Sequence, residues 1–211
     1  MARDAAFEAH HQRYDDWFEH HQAAYHSELL ALRAFVPWSG DGLEIGVGSG
    51  RFAGPLGVQV GVDPSPAMLE YAARRGIEAV EGVAEHLPFP AGRFDHVLVV
   101  TTICFVDSPA AMVAEACRVL RPGGRLVIGF IDRDSPLGED YEAHQDESVF
   151  YRDATFHSAG EVGRFVEEGG FRVAAWGQTL ARLPTQTREI EPLRSGHGEG
   201  GFVVVSAIRG A

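Results

Sequence analysis

The residues best suited to chemistry are three glycines at alternate positions, Gly46, Gly48 and Gly50, which directly follow the apolar run Gly42 to Gly46 (GLEIG). Glycines at the end of a strand let the backbone turn tightly and let a polar ligand reach main-chain N–H groups with no Cβ in the way. Position 51 is arginine, so the Gly-x-Gly-x-x-Gly spacing of dinucleotide sites is not completed. Asp63 stands 17 residues beyond Gly46, at the end of the next apolar run, VQVGVD. A carboxylate there can accept hydrogen bonds from both ribose hydroxyls of an adenosine. Loop and carboxylate together point to a nucleoside without fixing the reaction, and an aspartate ahead of Pro64 also serves as a plain turn former.

Other reactive side chains carry less. The pairs His10-His11 and His20-His21 suggest a metal, but neighbours on a helix point about 100° apart and cannot chelate as a pair. No metal site is expected. Cys104 and Cys117 have neither zinc-site spacing nor a neighbour that would lower a thiol pKa, so both read as small packing residues.

These groups need elements to position them. Phe7, His11, Tyr14, Phe18, His21, Tyr25 and Leu29 recur at intervals of three and four, predicting helix from about Asp4 to Phe35, with a second start at Ser27-Glu28 and an end at Pro37. Short apolar strands are expected at residues 42–46, 58–63, 77–80, 94–100 and 125–131. Between them, Ser65-Pro66 and Ser108-Pro109 place an N-cap ahead of a first-turn proline. Strands alternating with helices predict a parallel sheet covered on both faces. Residues 132–157 read as a polar and aromatic insertion. Ser158 with Glu161 forms a capping box for a helix to Glu168, and strands at 171–180 and 202–208 close the chain. The expectation is one domain over 1–211, divided into a helical cap (1–37), a core (38–131), the insertion (132–157) and a C-terminal helix with two strands (158–211).

The totals narrow the partners. A net charge of −12, with every one of the 18 basic residues an arginine, opposes grip on a phosphate backbone, so no nucleic-acid substrate is expected. No apolar run reaches the roughly 20 residues of a membrane span. The opening residues do not read as a secretory signal, and two cysteines make no disulfide framework, so a cytoplasmic setting is expected.

Two further segments resolve the ambiguity of the glycines. Read in order, LEIGVGSG, GVDPSPAML, EGVAEHLPF with Phe94-Asp95, and RVLRPGG (Arg118 to Gly124) resemble class I, Rossmann-like S-adenosylmethionine-dependent methyltransferases of the small-molecule group, similar to those of quinone biosynthesis. The resemblance spans about residues 40 to 131. It implies a three-layer α/β/α sandwich around a seven-stranded, mostly parallel sheet of order 3-2-1-4-5-7-6, its last strand antiparallel, with an N-terminal helical lid. It implies S-adenosyl-L-methionine as cofactor and S-adenosyl-L-homocysteine as product. By resemblance, Gly46 and Gly48, with Glu44 and Val47 of the same loop, pass the amino-acid end of the cofactor, and Asp63 holds the ribose. Pro64, Ser65 and Met68 flank the adenine, Ala84 and Glu85 supply its edge, and Thr101 and Thr102 line the methylthio region. Many relatives have aspartate at the position of Val83, where valine cannot accept from the adenine amino group. The (Asn/Asp)-Pro-Pro-aromatic motif of nucleobase and glutamine methylases is absent after the fourth strand.

Methyl transfer asks mainly for alignment in a dry pocket, so no catalytic side chain is assigned. Acceptor contacts are expected from the N-terminal face (Tyr14, Trp17, Tyr25) and from the insertion (Tyr141, His144, Tyr151), although plain packing explains any one of them. Two alternatives stand beside transfer to a small molecule. One is a non-catalytic binder of the same cofactor, and the other a nicotinamide-dependent oxidoreductase, which the missing third glycine and RVLRPGG oppose.

Overall fold

The computed structural model describes residues 5–210; the expected helix start at Asp4 lies outside the described residues. Eight strands form one sheet: β1 (Gly42–Ile45), β2 (Val60–Asp63), β3 (Glu78–Glu81), β4 (Phe94–Val100), β5 (Leu120–Ile131), β6 (Phe171–Thr179), β7 (Arg194–Ser195) and β8 (Phe202–Arg209). Their order is β3-β2-β1-β4-β5-β8-β6-β7. The pairs from β3 through β5 are parallel, whereas β8 runs antiparallel to both β5 and β6. The seven expected strands take the expected order, and the sheet gains one more. β7 pairs only Ser195 with Gly177 and Arg194 with Gln178, too short for any alternation to register.

The middle of the sheet is apolar on both faces, as a doubly covered parallel sheet must be. In β4, Val97 and Val99 join one buried cluster and Leu98 and Val100 the other. The first cluster is closed by α6 (Pro109–Val119) and α8 (Ala159–Glu168), through residues such as Met112, Ala116, Val162 and Val166. The second is closed by α3 (Gln22–Arg33) with α4 (Ala53–Leu56) and α5 (Pro66–Arg74), through Leu32, Leu56 and Ala72. Ser65 and Ser108 cap α5 and α6 by accepting from the Met68 and Ala111 N–H groups, and Ser158 and Glu161 complete the capping box of α8.

The N-terminal pattern is broken into α1 (Ala5–Ala9), α2 (His11–His20) and α3, with non-helical backbone at His10 and His21. The expected start at Ser27 is incorrect. Ser27 lies inside α3, where its hydroxyl donates to the Ala23 carbonyl at 2.7 Å and accepts from the Glu191 N–H at 2.8 Å. The insertion holds a helix, α7 (Pro136–Ala143), started by Ser135 and Pro136 in the same way as α5 and α6. No helix of the described residues is long and apolar enough to cross a membrane.

Candidate cofactor and acceptor site

β1 and β2 deliver the glycine loop and Asp63 side by side at the carboxyl end of the sheet. Gly46 and Gly48 have φ of 69° and 51°, a region that side chains other than glycine rarely adopt. A Cβ at Gly46 would fall inside the Thr102 side chain, and one at Gly48 would touch the Tyr14 ring at 3.6 Å. The loop thus gives its space to whatever lies between it and its neighbours. The Asp63 carboxylate accepts from the Gly48 N–H and the Ser65 N–H, each at 2.9 Å. Those bonds fix its orientation beside the loop.

Beyond Asp63 a cavity of about 540 Å³ opens, within the range of small-ligand sites. Gly46, Gly48, Asp63, Pro64, Met68, Ala84, Glu85, Thr101 and Thr102 all line it. Thr101, the residue after β4, has φ of 48°, a strained setting for a β-branched residue and one that recurs at functional sites. Its N–H donates to the Gly129 carbonyl at 2.8 Å, while the Thr102 hydroxyl donates to the Val100 carbonyl at 2.9 Å. Glu85 reaches the cavity wall, but its Oε1 accepts from the Asp107 and Ser108 N–H groups at the start of α6. Val83, 44% exposed, also lines the wall.

The N-terminal helices cover the cavity, which Phe7, Tyr14, Trp17 and Phe18 line from above. Arg51, the residue that interrupts the dinucleotide spacing, anchors them. It donates to both carboxylate oxygens of Asp15, at 2.9 and 2.7 Å, and to Glu19 at 2.6 Å. Arg75 donates to the same Asp15 carboxylate at 3.0 Å. Burial alone would raise the Asp15 pKa, but the two guanidinium groups hold it down at about 2. In α1, Glu8 accepts from the Ser65 hydroxyl and from the Ala67 N–H at 3.1 Å, which ties the first helix to the start of α5.

The far end of the cavity is aromatic. Tyr141 and Tyr151 lie 5.0 Å apart between ring centroids, Tyr151 stacks on Phe105, and Phe7 meets Phe105 and Tyr14 edge-on. Burial pushes the Tyr14, Tyr141 and Tyr151 hydroxyls well above the usual phenol value, so they are neutral near pH 7. Among them stands Glu28 of α3, 5% exposed. Its carboxyl group has no hydrogen bond or ion pair to the described residues, and burial pushes its pKa up to about 8. Sequence reasoning missed Glu28, although it continues the face of Tyr14, Phe18 and Tyr25 at helical spacing.

Several expected site residues lie elsewhere. Glu44 is buried beneath the loop, where the Ala53 N–H bonds to it and its Oε2 has no partner among the described residues; burial raises its pKa well above the carboxylate range. Val47 packs on Gly61, and Ser65 is spent on capping and on Glu8. Tyr25 lies behind the wall, where its hydroxyl donates to the Arg51 carbonyl at 2.6 Å and its ring packs on Phe18 and Phe52. His144 is exposed at the end of α7 and lines a separate surface depression, with Nδ1 placed 2.8 Å from the Asp140 carbonyl.

Comparison with known proteins agrees with this architecture. Residues 43–128 match the family described as methyltransferase domain. An uncharacterized protein of Methanocaldococcus jannaschii is 43% identical over 201 residues, covering 95% of this chain and 97% of its own. An uncharacterized protein of Mycobacterium tuberculosis is 40% identical over 212 residues, covering 98% of this chain and 72% of its own. A crystal structure from Thermotoga maritima, described as an SAM-dependent methyltransferase and possible histamine N-methyltransferase, superposes with a TM-score of 0.94 at 45% identity, covering 97% of this chain and 98% of that one. Sheet order, glycine loop and strand-end aspartate define a class I, Rossmann-like fold for nucleoside cofactors. The chain belongs to the S-adenosylmethionine-dependent methyltransferases of that class.

Proposed function

We propose that this methyltransferase acts on a small molecule. The observation that carries the reading is the cavity itself, which runs from the glycine loop and Asp63 past Thr101 and Thr102 into an aromatic chamber under α1 and α2. In this reading Gly46 and Gly48 give their backbone to the amino-acid end of the cofactor, and Asp63 accepts from the ribose hydroxyls. Pro64, Met68 and Ala84 enclose the adenine. Glu44, Val47 and Ser65 act at one remove, by holding the loop and the start of α5. With valine at position 83 and Glu85 committed to α6, the adenine amino group is left to backbone acceptors.

The cofactor's sulfonium supplies a methyl group that is already activated. What remains for the chain is to seat the acceptor in line with it and to keep water out. Tyr14, Trp17, Tyr141 and Tyr151 wall the chamber in which an acceptor would sit. The lid leaves little room for a polynucleotide or a folded protein, and the net charge of −12 opposes a nucleic acid. The test is incubation with methyl-labelled S-adenosylmethionine and a cell extract split into small molecules, RNA and protein. Label in the small-molecule fraction is expected; label confined to RNA or protein would overturn the reading.

A further inference from the structure

The aromatic chamber carries a charge pattern that cofactor binding does not explain. Among the described residues, the carboxylic side chains along the cavity are Glu28, Asp63, Glu85 and Asp107, and no arginine lines it. Asp63 and Glu85 are occupied by backbone N–H groups. Glu28 is different: it is 5% exposed, lines the chamber, and has no partner among the described residues. A buried carboxyl without a donor weakens a fold, whereas an apolar residue of similar size would pack there at no such penalty. Folding therefore gives no reason for glutamate at this place, but a cationic ligand does. The neighbouring rings of Tyr14, Trp17, Tyr141 and Tyr151 favour the same occupant, because the faces of aromatic rings attract cations.

We propose that Glu28 receives the nitrogen of a protonated primary or secondary amine and takes its proton, so that the protein N-methylates small amines. The inference rests on the methyl-transfer reading above. An ammonium nitrogen has no lone pair and cannot attack. As its N–H bond breaks, the proton passes to the Glu28 carboxylate and the electron pair stays on nitrogen. That pair forms the new N–CH3 bond as the S–CH3 bond breaks, its electrons remaining on sulfur. The products are an N-methylammonium and S-adenosylhomocysteine, and Glu28 keeps the proton as in its resting form; the one proton released per turnover is the one that the next ammonium expels to water on entering.

The titratable side chains facing Glu28 are Tyr14 from α2, Tyr141 from α7 and Tyr151, all neutral near pH 7. Near pH 7 the chamber thus presents a neutral carboxyl group to an incoming ligand. Entry of a protonated amine must expel one proton, wherever the remaining proton rests.

Calorimetry on the full chain saturated with S-adenosylhomocysteine tests this at pH 7, with 2-phenylethylamine, 2-phenylethanol and 3-phenylpropionate as probes of one shape. The amine is expected to bind at least about tenfold more tightly than the alcohol, and the carboxylate least. Titration in two buffers of different ionisation enthalpy should show about one proton released with the amine and none with the alcohol. Glu28→Gln should lose about tenfold or more in amine affinity and the proton release, while its unchanged affinity for S-adenosylhomocysteine reports an intact fold. Amine binding no tighter than that of the alcohol, or equal amine binding in wild type and Glu28→Gln, would overturn the inference. Failure of the wild type to bind S-adenosylhomocysteine would instead overturn the methyl-transfer reading, and this inference with it.

Discussion

Glu28→Gln should make the ligand-free protein more stable, by an amount that grows with pH. The glutamate has an ordinary pKa of 4.5 when the chain is unfolded and one of about 8 when folded, raised by burial. Over that span of about 3.5 pH units the folded state holds a proton that the unfolded state has lost. Stability therefore declines as pH rises, by about 1.4 kcal/mol per unit. The contribution is fully present below pH 4.5 and lost by about pH 8, a total of about 4–5 kcal/mol, with about 3 kcal/mol already gone at pH 7. Glutamine fills the same space and does not titrate. Urea denaturation of both proteins at intervals from pH 4 to 9 should give curves that diverge steadily from about pH 5 and run parallel above about pH 8. Parallel curves over the whole range would refute the claim that this carboxyl is buried without a partner.

Asp63→Ala should weaken S-adenosylhomocysteine binding by about 1–3 kcal/mol in a folded protein, the usual cost of losing a charged acceptor; an unchanged dissociation constant would reduce Asp63 to a turn former. Gly46→Ala should destabilise the chain by about 1–3 kcal/mol, through its positive φ and the intrusion on Thr102, and should abolish measurable cofactor binding in calorimetry. Asp15→Asn should cost about 1–2 kcal/mol at pH 7, allowing for water around the pair. Because the Asp15 pKa is depressed from 3.8 to about 2, that contribution is present above about pH 4 and fades as pH falls toward 2, so the denaturation curves of wild type and variant should converge in acid. Hydrogen exchange over residues 5–33 should slow when S-adenosylhomocysteine binds, since α1 and α2 roof the cavity; equal exchange with and without it would make these helices a structural flank.

Much of the sheet was legible because its signals are local. β4 was placed residue for residue from an apolar run, and each Ser-Pro start is a capped helix. The same signal at Ser135-Pro136 announces α7, yet the surrounding polar residues read as loop. The breaks at His10 and His21 carry no glycine or proline, so periodicity passed across them. Arg51 registered only as a missing glycine, since its partner Asp15 lies 36 residues earlier on a separate helix. Glu28 sat unnoticed in the run SELLAL because one acidic residue on a helix is normally solvated. Only the burial of that face of α3 in the aromatic cavity removes its water. Tyr25 and His144 show the converse error, in which chemically able side chains on the right elements point to packing or to solvent.

The central claim is that the glycine loop and Asp63 form an adenosylmethionine site and not a dinucleotide site. Isothermal titration of the wild-type chain with S-adenosylhomocysteine and, separately, with NAD tests it most directly. Saturable one-to-one binding of S-adenosylhomocysteine and no heat of binding with NAD is the predicted result; tight binding of NAD with none of S-adenosylhomocysteine would contradict it.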